Sequence, residues 1–276
     1  MPTVPTRTLP SGDEMQLVGF GTYDIDVAET TQAVRTALET GCHVDCAEGY
    51  GNEREVGEAI ADYDREELFL TSKVLPKHLH YESVLSACRD SLDRLGVDYL
   101  DLYLIHWPNP AISLRETLSA MAQLVDRGLV RNIGVSNFSP YQLRFAQHIS
   151  EIPLAMNQIE FHPWFKQPEL REYATETDLQ LTAAAPLART KVFEEPVMQK
   201  LADDYDKTPA QIVIRWQIQQ GIATIPRSTT PDHIRSNIAV TDWELADEDV
   251  NRIEAIDRRQ RLYMVDPAHP RYGISE

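Results

Sequence analysis

Short apolar runs alternate with longer amphipathic stretches along almost the whole of this 276-residue chain. The runs predict β-strands and the stretches predict helices. Strands that alternate with helices are typical of a parallel sheet, because each parallel connection crosses the sheet through a helix. The predicted strands cover 16–19, 43–45, 67–72, 100–105, 131–134, 155–158, 179–183 and 222–225, and the predicted helices lie near 28–40, 53–61, 80–94, 113–127, 139–149, 168–177, 208–220, 230–238 and 246–258.

The simplest fold for this pattern is an α/β protein whose strands close into a (β/α)8 TIM barrel. No low-complexity linker or charge block divides the chain, so we expect residues 1–276 to form a single domain. A barrel of about 250 residues would use nearly all of them. The alternative is an open, doubly wound sheet, which favours a GxGxxG motif after its first strand. Gly19-Phe20-Gly21 lacks the third glycine, so the closed barrel is the preferred prediction.

Charge and cysteine content narrow the class of partner and the compartment. The formal net charge of −17 argues against nucleic acid or an anionic membrane as a main partner, since both repel an acidic surface. No signal peptide and no membrane helix are expected, and three cysteines without framework spacing favour a reducing, cytoplasmic setting. Excess acid combined with few lysines favours a surface adapted to high salt, with an ordinary acidic cytosolic protein as the alternative.

Four polar residues stand at or just past the ends of three predicted strands: Asp45, Tyr50, Lys73 and His106. In a parallel barrel these ends line one shared pocket. An ammonium beside a phenol lowers the pKa of the phenol, so this set suits proton delivery to a carbonyl. Each residue alone has an ordinary structural explanation, such as a surface lysine or a core histidine. Their joint placement favours the functional interpretation.

Two further segments carry weaker signals. Residues 225–237, IPRSTTPDHIRSN, place Arg227 and Ser228 before a helix start, which suits a phosphate group. A capped surface helix with solvated arginines explains the same segment equally well. Ser136, Asn137 and Gln158 follow two other strands and could bind a carboxamide, although Asn and Ser often cap loops.

The residues give little indication of a metal site, a serine nucleophile or a phosphate-binding P-loop. Cys42 and Asp45 would point to opposite faces of a strand, and no second pair of ligands follows at zinc spacing, so no metal is expected. The chain has no GxSxG nucleophile motif and no GxxxxGK[ST] phosphate loop.

At these residues the chain resembles the aldo-keto reductases, in particular prokaryotic reductases of small aldehydes and diketogluconate-type keto acids. The matching motifs run in the family's order over nearly the whole chain and are GFGTY (19–23), DCAEGYGNEREVG (45–57), TSKV (71–74), DLYLIHWP (101–108), IGVSNF (133–138), NQIEFHP (157–163) and IPRSTTPDHIRSN (225–237).

The resemblance implies a barrel that binds NADP(H) and reduces aldehydes and ketones to alcohols. It implies that Tyr50 is the proton donor, that Asp45 and Lys73 tune it and that His106 orients the carbonyl. It also implies that Tyr23 and Trp107, with Phe161 or Trp164, form an apolar wall for the substrate. The cofactor-binding residues that it implies are Gly21, Thr22, Ser136, Asn137, Gln158, Pro186, Leu187, Arg227, Ser228, His233 and Asn237.

Two positions depart from the family's usual pattern. Ala184 stands where an aromatic residue usually stacks on the nicotinamide, and His233 stands where an arginine commonly holds the 2′-phosphate. We therefore expect NADP(H) to be used, with use of NAD(H) left open. A slow nicotinamide-binding redox sensor on the same barrel is the alternative function. The tail after Leu262 is expected to close one side of the pocket.

Overall fold

The computed structural model describes residues 4–262 and contains a ring of parallel strands. Each strand pairs with the next one along the chain. The ring closes where Val18 bridges Thr224 and the Thr224 N–H donates to the carbonyl of Leu17 at 2.8 Å. This confirms the (β/α)8 barrel and excludes the open sheet. The barrel strands are β3 (Gly19–Gly21), β4 (His43–Asp45), β5 (Leu70–Val74), β6 (Leu100–Ile105), β7 (Val130–Ser136), β8 (Leu154–Glu160), β9 (Gln180–Ala184) and β10 (Ala223–Thr224), and β1 (Thr6–Thr8) and β2 (Glu14–Gln16) form a hairpin before them.

The helices pack around the outside of this ring, and several begin at a proline. Ser139 and Thr208 each form a capping box with a glutamine three residues later, ahead of Pro140 and Pro209. Thr230 precedes Pro231, but its side chain forms no capping hydrogen bond. The helices are α1 (Val27–Leu38), α2 (Glu53–Ile60), α3 (Tyr81–Leu95), α4 (Leu114–Asp126), α5 (Pro140–Ile149), α6 (Pro168–Thr177), α7 (Pro196–Tyr205), α8 (Pro209–Gln219), α9 (Pro231–Ile238) and α10 (Asp247–Glu254).

Two elements differ from the sequence prediction. The predicted strand 16–19 spans parts of two elements, because Gln16 ends the antiparallel β1–β2 hairpin whereas Val18 bridges Thr224 and Gly19 begins the first barrel strand. Helix α7, Pro196–Tyr205, was not predicted. It lies between β9 and α8 and adds a helix to the regular alternation. Met198, Leu201 and Ala202 are buried at helical spacing, but a second helix after β9 falls outside the alternation of one strand with one helix on which the prediction rested.

The barrel interior is apolar at one end and polar at the other. Met15 of the hairpin is fully buried in a cluster with Phe69, Leu102 and Met156, which plugs the end where the strands begin. The polar side chains therefore collect at the opposite, C-terminal end of the strands. Within residues 4–262, no helix is long and apolar enough to cross a membrane.

Candidate active site

Lys73 is the centre of a buried polar cluster at the C-terminal end of the barrel. The side chain is 0% exposed, at the end of β5. Its ammonium forms an ion pair with the carboxylate of Asp45, donates to the carbonyl of Cys46 at 2.9 Å and lies 3.2 Å from the hydroxyl of Tyr50. The Asp45 carboxylate also accepts a hydrogen bond from the amide of Gln158 at 2.7 Å. The ammonium is thus held against the phenol by a carboxylate and a backbone carbonyl.

Tyr50 and His106 face one another across this cluster. Tyr50 ends a short 3₁₀ turn, Glu48–Tyr50, that follows β4 and is stopped by Gly51 at a φ of 75°. His106 follows β6, and its ring centroid lies 5.4 Å from that of Tyr50 at an edge-on angle. Burial holds the pKa of His106 well below its ordinary value, and the positive charge of Lys73 lowers it further. The imidazole is therefore neutral near pH 7 and carries one N–H for donation.

A second polar group lies beside the first, at the ends of β7 and β8. The Ser136 hydroxyl donates to the carbonyl of Gln158 at 2.8 Å, and the Asn137 amide donates to the carbonyl of His106 at 3.0 Å. Asn137 has a φ of 64°, a left-handed conformation that asparagine tolerates better than most residues. The structure thus brings the carboxamide-binding candidates next to the four strand-end residues.

Asn137 and Gln158 have side-chain oxygens that could accept hydrogen bonds from the amide end of a nicotinamide. Among residues 4–262, the side-chain oxygens of Asn137 and Gln158 accept no hydrogen bond, while their NH₂ groups donate within the protein. Two acceptors therefore remain for the NH₂ group of a carboxamide. Ala184, at the end of β9, offers only a methyl group where an aromatic ring would stack.

The rim residues are placed by the seam between the first and last barrel strands. The Gly21 N–H donates to the carbonyl of Pro226 at 3.2 Å, and the buried Thr22 donates to the carbonyl of Asp45 through both its N–H and its hydroxyl. Tyr23 is 46% exposed and packs edge-on against Tyr50 with 5.2 Å between ring centroids. Trp107 lies two positions after the end of β6 and is half-buried.

The phosphate candidates lie further out, around the start of α9. Arg227 is exposed and paired with Asp24, and the Ser228 hydroxyl accepts from the N–H of Thr230 at 3.1 Å. His233 is exposed on α9, whereas Asn237 is 6% exposed on the same helix. Pro186 is buried and Leu187 is half-buried after β9, and the carbonyl of Pro186 accepts from Gln217 at 3.2 Å. None of these contacts brings them to the Lys73 cluster.

Two of the predicted wall residues do not line the pocket. The Phe161 ring is 0% exposed and stacks on Trp216 of α8 at 5.1 Å, so it faces the helix layer. The Trp164 ring is covered by the guanidinium of Arg258 at 3.6 Å, and its N–H donates to Glu195. Of the predicted wall residues, Tyr23 and Trp107 remain candidates. The tail beyond Leu262, expected to close one side, lies outside the described residues.

Two carboxylates near the site were missed at the level of sequence. Glu48 accepts the backbone N–H of Leu75 and lies 3.2 Å from a ring nitrogen of His78, which ties the turn bearing Tyr50 to the end of β5. Asp24 pairs with Arg227. The only available signal was proximity, since Asp24 follows Tyr23 and Glu48 precedes Tyr50 by two positions. Across residues 4–262 no group of three or more His, Cys, Asp or Glu side chains is arranged to hold a metal ion.

Comparison with known proteins decides the family. Residues 17–258 match the sequence profile of the Aldo/keto reductase family. The chain belongs to this family. It is 41% identical over 262 residues to an aldo-keto reductase of Mycolicibacterium smegmatis, covering 94% of this chain and 95% of the relative. It is 39% identical over 261 residues to a glyoxal reductase of Bacillus subtilis, covering 93% of this chain and 94% of the relative.

Solved structures of the family share the fold. The structure of an aldo-keto reductase from a Medee basin deep-sea metagenome library superimposes with a TM-score of 0.91 at 38% identity, covering 94% of this chain and 97% of that one. Family membership makes the protein an oxidoreductase and supports reduction of small carbonyl compounds with a nicotinamide cofactor.

Proposed function

We propose that this aldo-keto reductase family member reduces aldehydes and ketones to alcohols with NADP(H), and that Tyr50 donates the proton. The observation that carries the proposal is the buried Lys73 ammonium 3.2 Å from the Tyr50 hydroxyl. A phenol ordinarily titrates near pH ~10 and is a poor acid at neutrality. A positive charge at hydrogen-bond distance favours the phenolate and makes the proton easier to release.

Asp45 and Lys73 act on Tyr50 and do not touch the substrate in this proposal. The Asp45 carboxylate is held by Gln158 and in turn holds the ammonium, so neither charge can turn away from the phenol. Burial of both side chains strengthens the interaction because water is excluded from it. The proton moves from the Tyr50 hydroxyl to the carbonyl oxygen as negative charge develops there.

His106 positions the carbonyl oxygen. Its depressed pKa keeps the imidazole neutral, so its N–H donates a hydrogen bond without competing with Tyr50 as an acid. Its ring lies edge-on to that of Tyr50 with 5.4 Å between centroids, so one carbonyl oxygen could contact both groups. Tyr23 and Trp107 provide the neighbouring aromatic surface for the rest of the substrate.

The cofactor would be held by the residues already described at the ends of β7 to β10. Asn137 and Gln158 would accept from the carboxamide NH₂ group, with Ser136 orienting the amide of Asn137 and Asp45 that of Gln158. Arg227 would bind the adenosine phosphate. When bound, the reduced nicotinamide supplies the hydride that the carbonyl carbon accepts. Ala184 offers no stacking ring, so affinity rests more heavily on the amide and phosphate contacts.

The proposal is tested with NADPH that carries deuterium at the transferable position. Glyoxal and a reactive aromatic aldehyde are suitable substrates, the first because a relative is named as a glyoxal reductase. We expect multiple turnovers at low or at molar KCl, with deuterium on the carbinol carbon of the alcohol. Tight NADPH binding without turnover would contradict the enzyme assignment and support the redox-sensor alternative, which Ala184 favours.

A further inference from the structure

Arg227, the residue proposed to bind the cofactor's phosphate, already holds an anion of the protein itself. Its Nη2 lies 3.0 Å from a carboxylate oxygen of Asp24, and its Nη1 donates to the backbone carbonyl of Asp24 at 3.1 Å. Both outer nitrogens of the guanidinium are therefore directed at one residue. These two nitrogens are the ones that a phosphate group would use in a bidentate contact.

The backbone on the other side of the barrel seam places Asp24 against Arg227. Asp24 follows β3, Arg227 follows β10, and the seam is joined just before them by the hydrogen bond from Gly21 to Pro226. Asp24 has a φ of 57°, so its conformation is one that Asp and Asn tolerate and most other residues do not. This turn aims both the carboxylate and the carbonyl of Asp24 across the seam at Arg227.

The exposure of the Asp24–Arg227 pair allows an anion of higher charge to displace the Asp24 carboxylate from Arg227. The two side chains are 68% and 45% exposed, and ion pairs with this exposure are weak. A phosphate monoester carries up to two negative charges where the carboxylate carries one, and it offers three acceptor oxygens. Phosphate binding at Arg227 therefore requires loss of the Asp24 contact and leaves the carboxylate close to the phosphate.

The same segment has little other free positive charge. Within residues 225–237 the second arginine, Arg235, lies 3.1 Å from Glu39 and 3.9 Å from Asp232. His233 occupies an exposed position on α9, and no lysine occurs in this stretch. Arg227 is consequently the principal cation for a phosphate here, and its availability depends on Asp24.

We propose that Asp24 competes with the 2′-phosphate of NADP(H) for Arg227 and thereby weakens the preference of the protein for NADP(H) over NAD(H). This inference rests on the proposed function in one respect, that Arg227 is the phosphate ligand. It assigns a cofactor-specificity role to a residue outside the Lys73 cluster. The carboxylate opposes the phosphate twice, by occupying the guanidinium and by like-charge repulsion.

The test is the dissociation constant of each cofactor, measured without substrate by quenching of tryptophan fluorescence. Asp24→Asn removes the charge while keeping a residue that tolerates the left-handed backbone. We expect the variant to bind NADPH about threefold to fivefold more tightly, the size of a typical exposed ion pair. Binding of NADH should change by less than about twofold, because NADH lacks the 2′-phosphate.

Two controls separate the contact from a general charge effect. Asp26→Asn removes a carboxylate two positions away, whose side chain makes no capping hydrogen bond on α1, and should leave both affinities unchanged. In an Arg227→Ala background, Asp24→Asn should lose most of its effect on NADPH, because only the like-charge repulsion between Asp24 and the phosphate remains.

Unchanged NADPH affinity in Asp24→Asn, or equal tightening for NADPH and NADH, would overturn the inference while leaving the proposed reductase function intact. Absence of NADPH binding to both wild type and Asp24→Asn would overturn the two together. Tight NADPH binding without turnover would contradict only the reductase, because the affinities do not depend on catalysis.

Discussion

Lys73 is a residue whose placement is poorly explained by stability alone. Removing an ammonium from water costs on the order of several kcal/mol, and a buried ion pair often returns no more than that. Lys73 nevertheless has no exposed surface, and its partners are a carboxylate, a carbonyl and a phenol. Apolar packing at this position would be as stable, so we infer that the charge is retained for its effect on Tyr50.

His43 is buried in the same barrel, and its pKa makes the stability of the fold depend on pH. It lies on β4 two positions before Asp45, and its ring would be 2.1 Å from a Cβ added at Gly19. Burial, only partly offset by the charge of Asp45, lowers the pKa of His43 from 6.5 to about 4. The imidazole of His43 is therefore protonated below pH ~6.5 in the unfolded chain, but only below pH ~4 in the folded protein. Stability consequently falls as the pH falls through this window.

We expect the His43 contribution to reduce the free energy of unfolding by about 2 kcal/mol between about pH 7 and about pH 5. His43→Gln should show a smaller loss over that interval in urea unfolding, even if it is less stable at both pH values. His148→Gln, which removes an exposed imidazole on α5, should keep the wild-type loss. Identical pH dependence in His43→Gln and wild type would contradict the depressed pKa.

How far the site could be predicted depends on what positions each residue. Asp45, Lys73 and His106 stand at strand ends, and strand ends converge in any parallel barrel, so their neighbourhood follows from the pattern of apolar runs. Asp24 was missed because its contact requires a left-handed turn and a partner across the closing seam. Phe161 was misplaced because strand-end position alone does not say whether a ring faces the pocket or the helices.

At the scale of elements, the packing of α2 against α3 depends on Gly57. A Cβ at this position would lie 2.7 Å from the carbonyl oxygen of Leu95 and 2.9 Å from that of Arg94. These are backbone atoms, so neither can rotate out of the way. Alanine favours a helix over glycine by about 1 kcal/mol, but overpacking of this kind costs about 1–3 kcal/mol, so the clash should prevail.

We expect Gly57→Ala to lower the free energy of unfolding in urea by about 1 kcal/mol. Glu58→Ala, an exposed neighbour on the same helix, should change it by less than about 0.5 kcal/mol. A stabilised Gly57→Ala variant would show that α2 can move away from α3 and that helix propensity decides the outcome.

The elements themselves were predictable to different degrees for physical reasons. Strand β6 is almost wholly apolar and buried along its whole length, which the sequence displays directly. The β1–β2 hairpin has strands of three residues, too short for a clear alternation, and only its role as a plug explains the burial of Met15. Helix α7 has buried residues at helical spacing, but an additional helix after β9 is not expected from a simple alternation of strands and helices.

At the scale of the whole molecule, the net charge of −17 predicts a response to salt. Charge of one sign destabilises the compact state through self-repulsion, and the screening length falls from about 10 Å at 0.1 M salt to about 3 Å at 1 M. Exposed ion pairs such as Arg7–Asp178 are screened too, but each contributes little. Repulsion should therefore be the larger effect.

We expect the urea midpoint of unfolding to rise between about 0.1 M and about 2 M KCl, with the largest rise in the first molar step. Urea is the suitable denaturant because guanidinium chloride is itself a salt. A midpoint that falls with KCl would mean that the ion pairs outweigh the repulsion, and it would contradict the interpretation of the surface as adapted to high salt.

The most direct measurement on the central claim is kcat/KM for carbonyl reduction by Tyr50→Phe, with the dissociation constant of NADPH measured alongside. Loss of a general acid typically costs about 10²–10⁴-fold in rate, so we predict a fall of at least about 100-fold with NADPH affinity unchanged. The ring of Tyr23 lies 5.2 Å from that of Tyr50, measured between centroids. Tyr23→Phe removes only this neighbouring hydroxyl, so its kcat/KM should stay within a few-fold of wild type. A Tyr50→Phe variant that retains wild-type kcat/KM would contradict the account of Lys73, Asp45 and Tyr50 as a proton-delivering group.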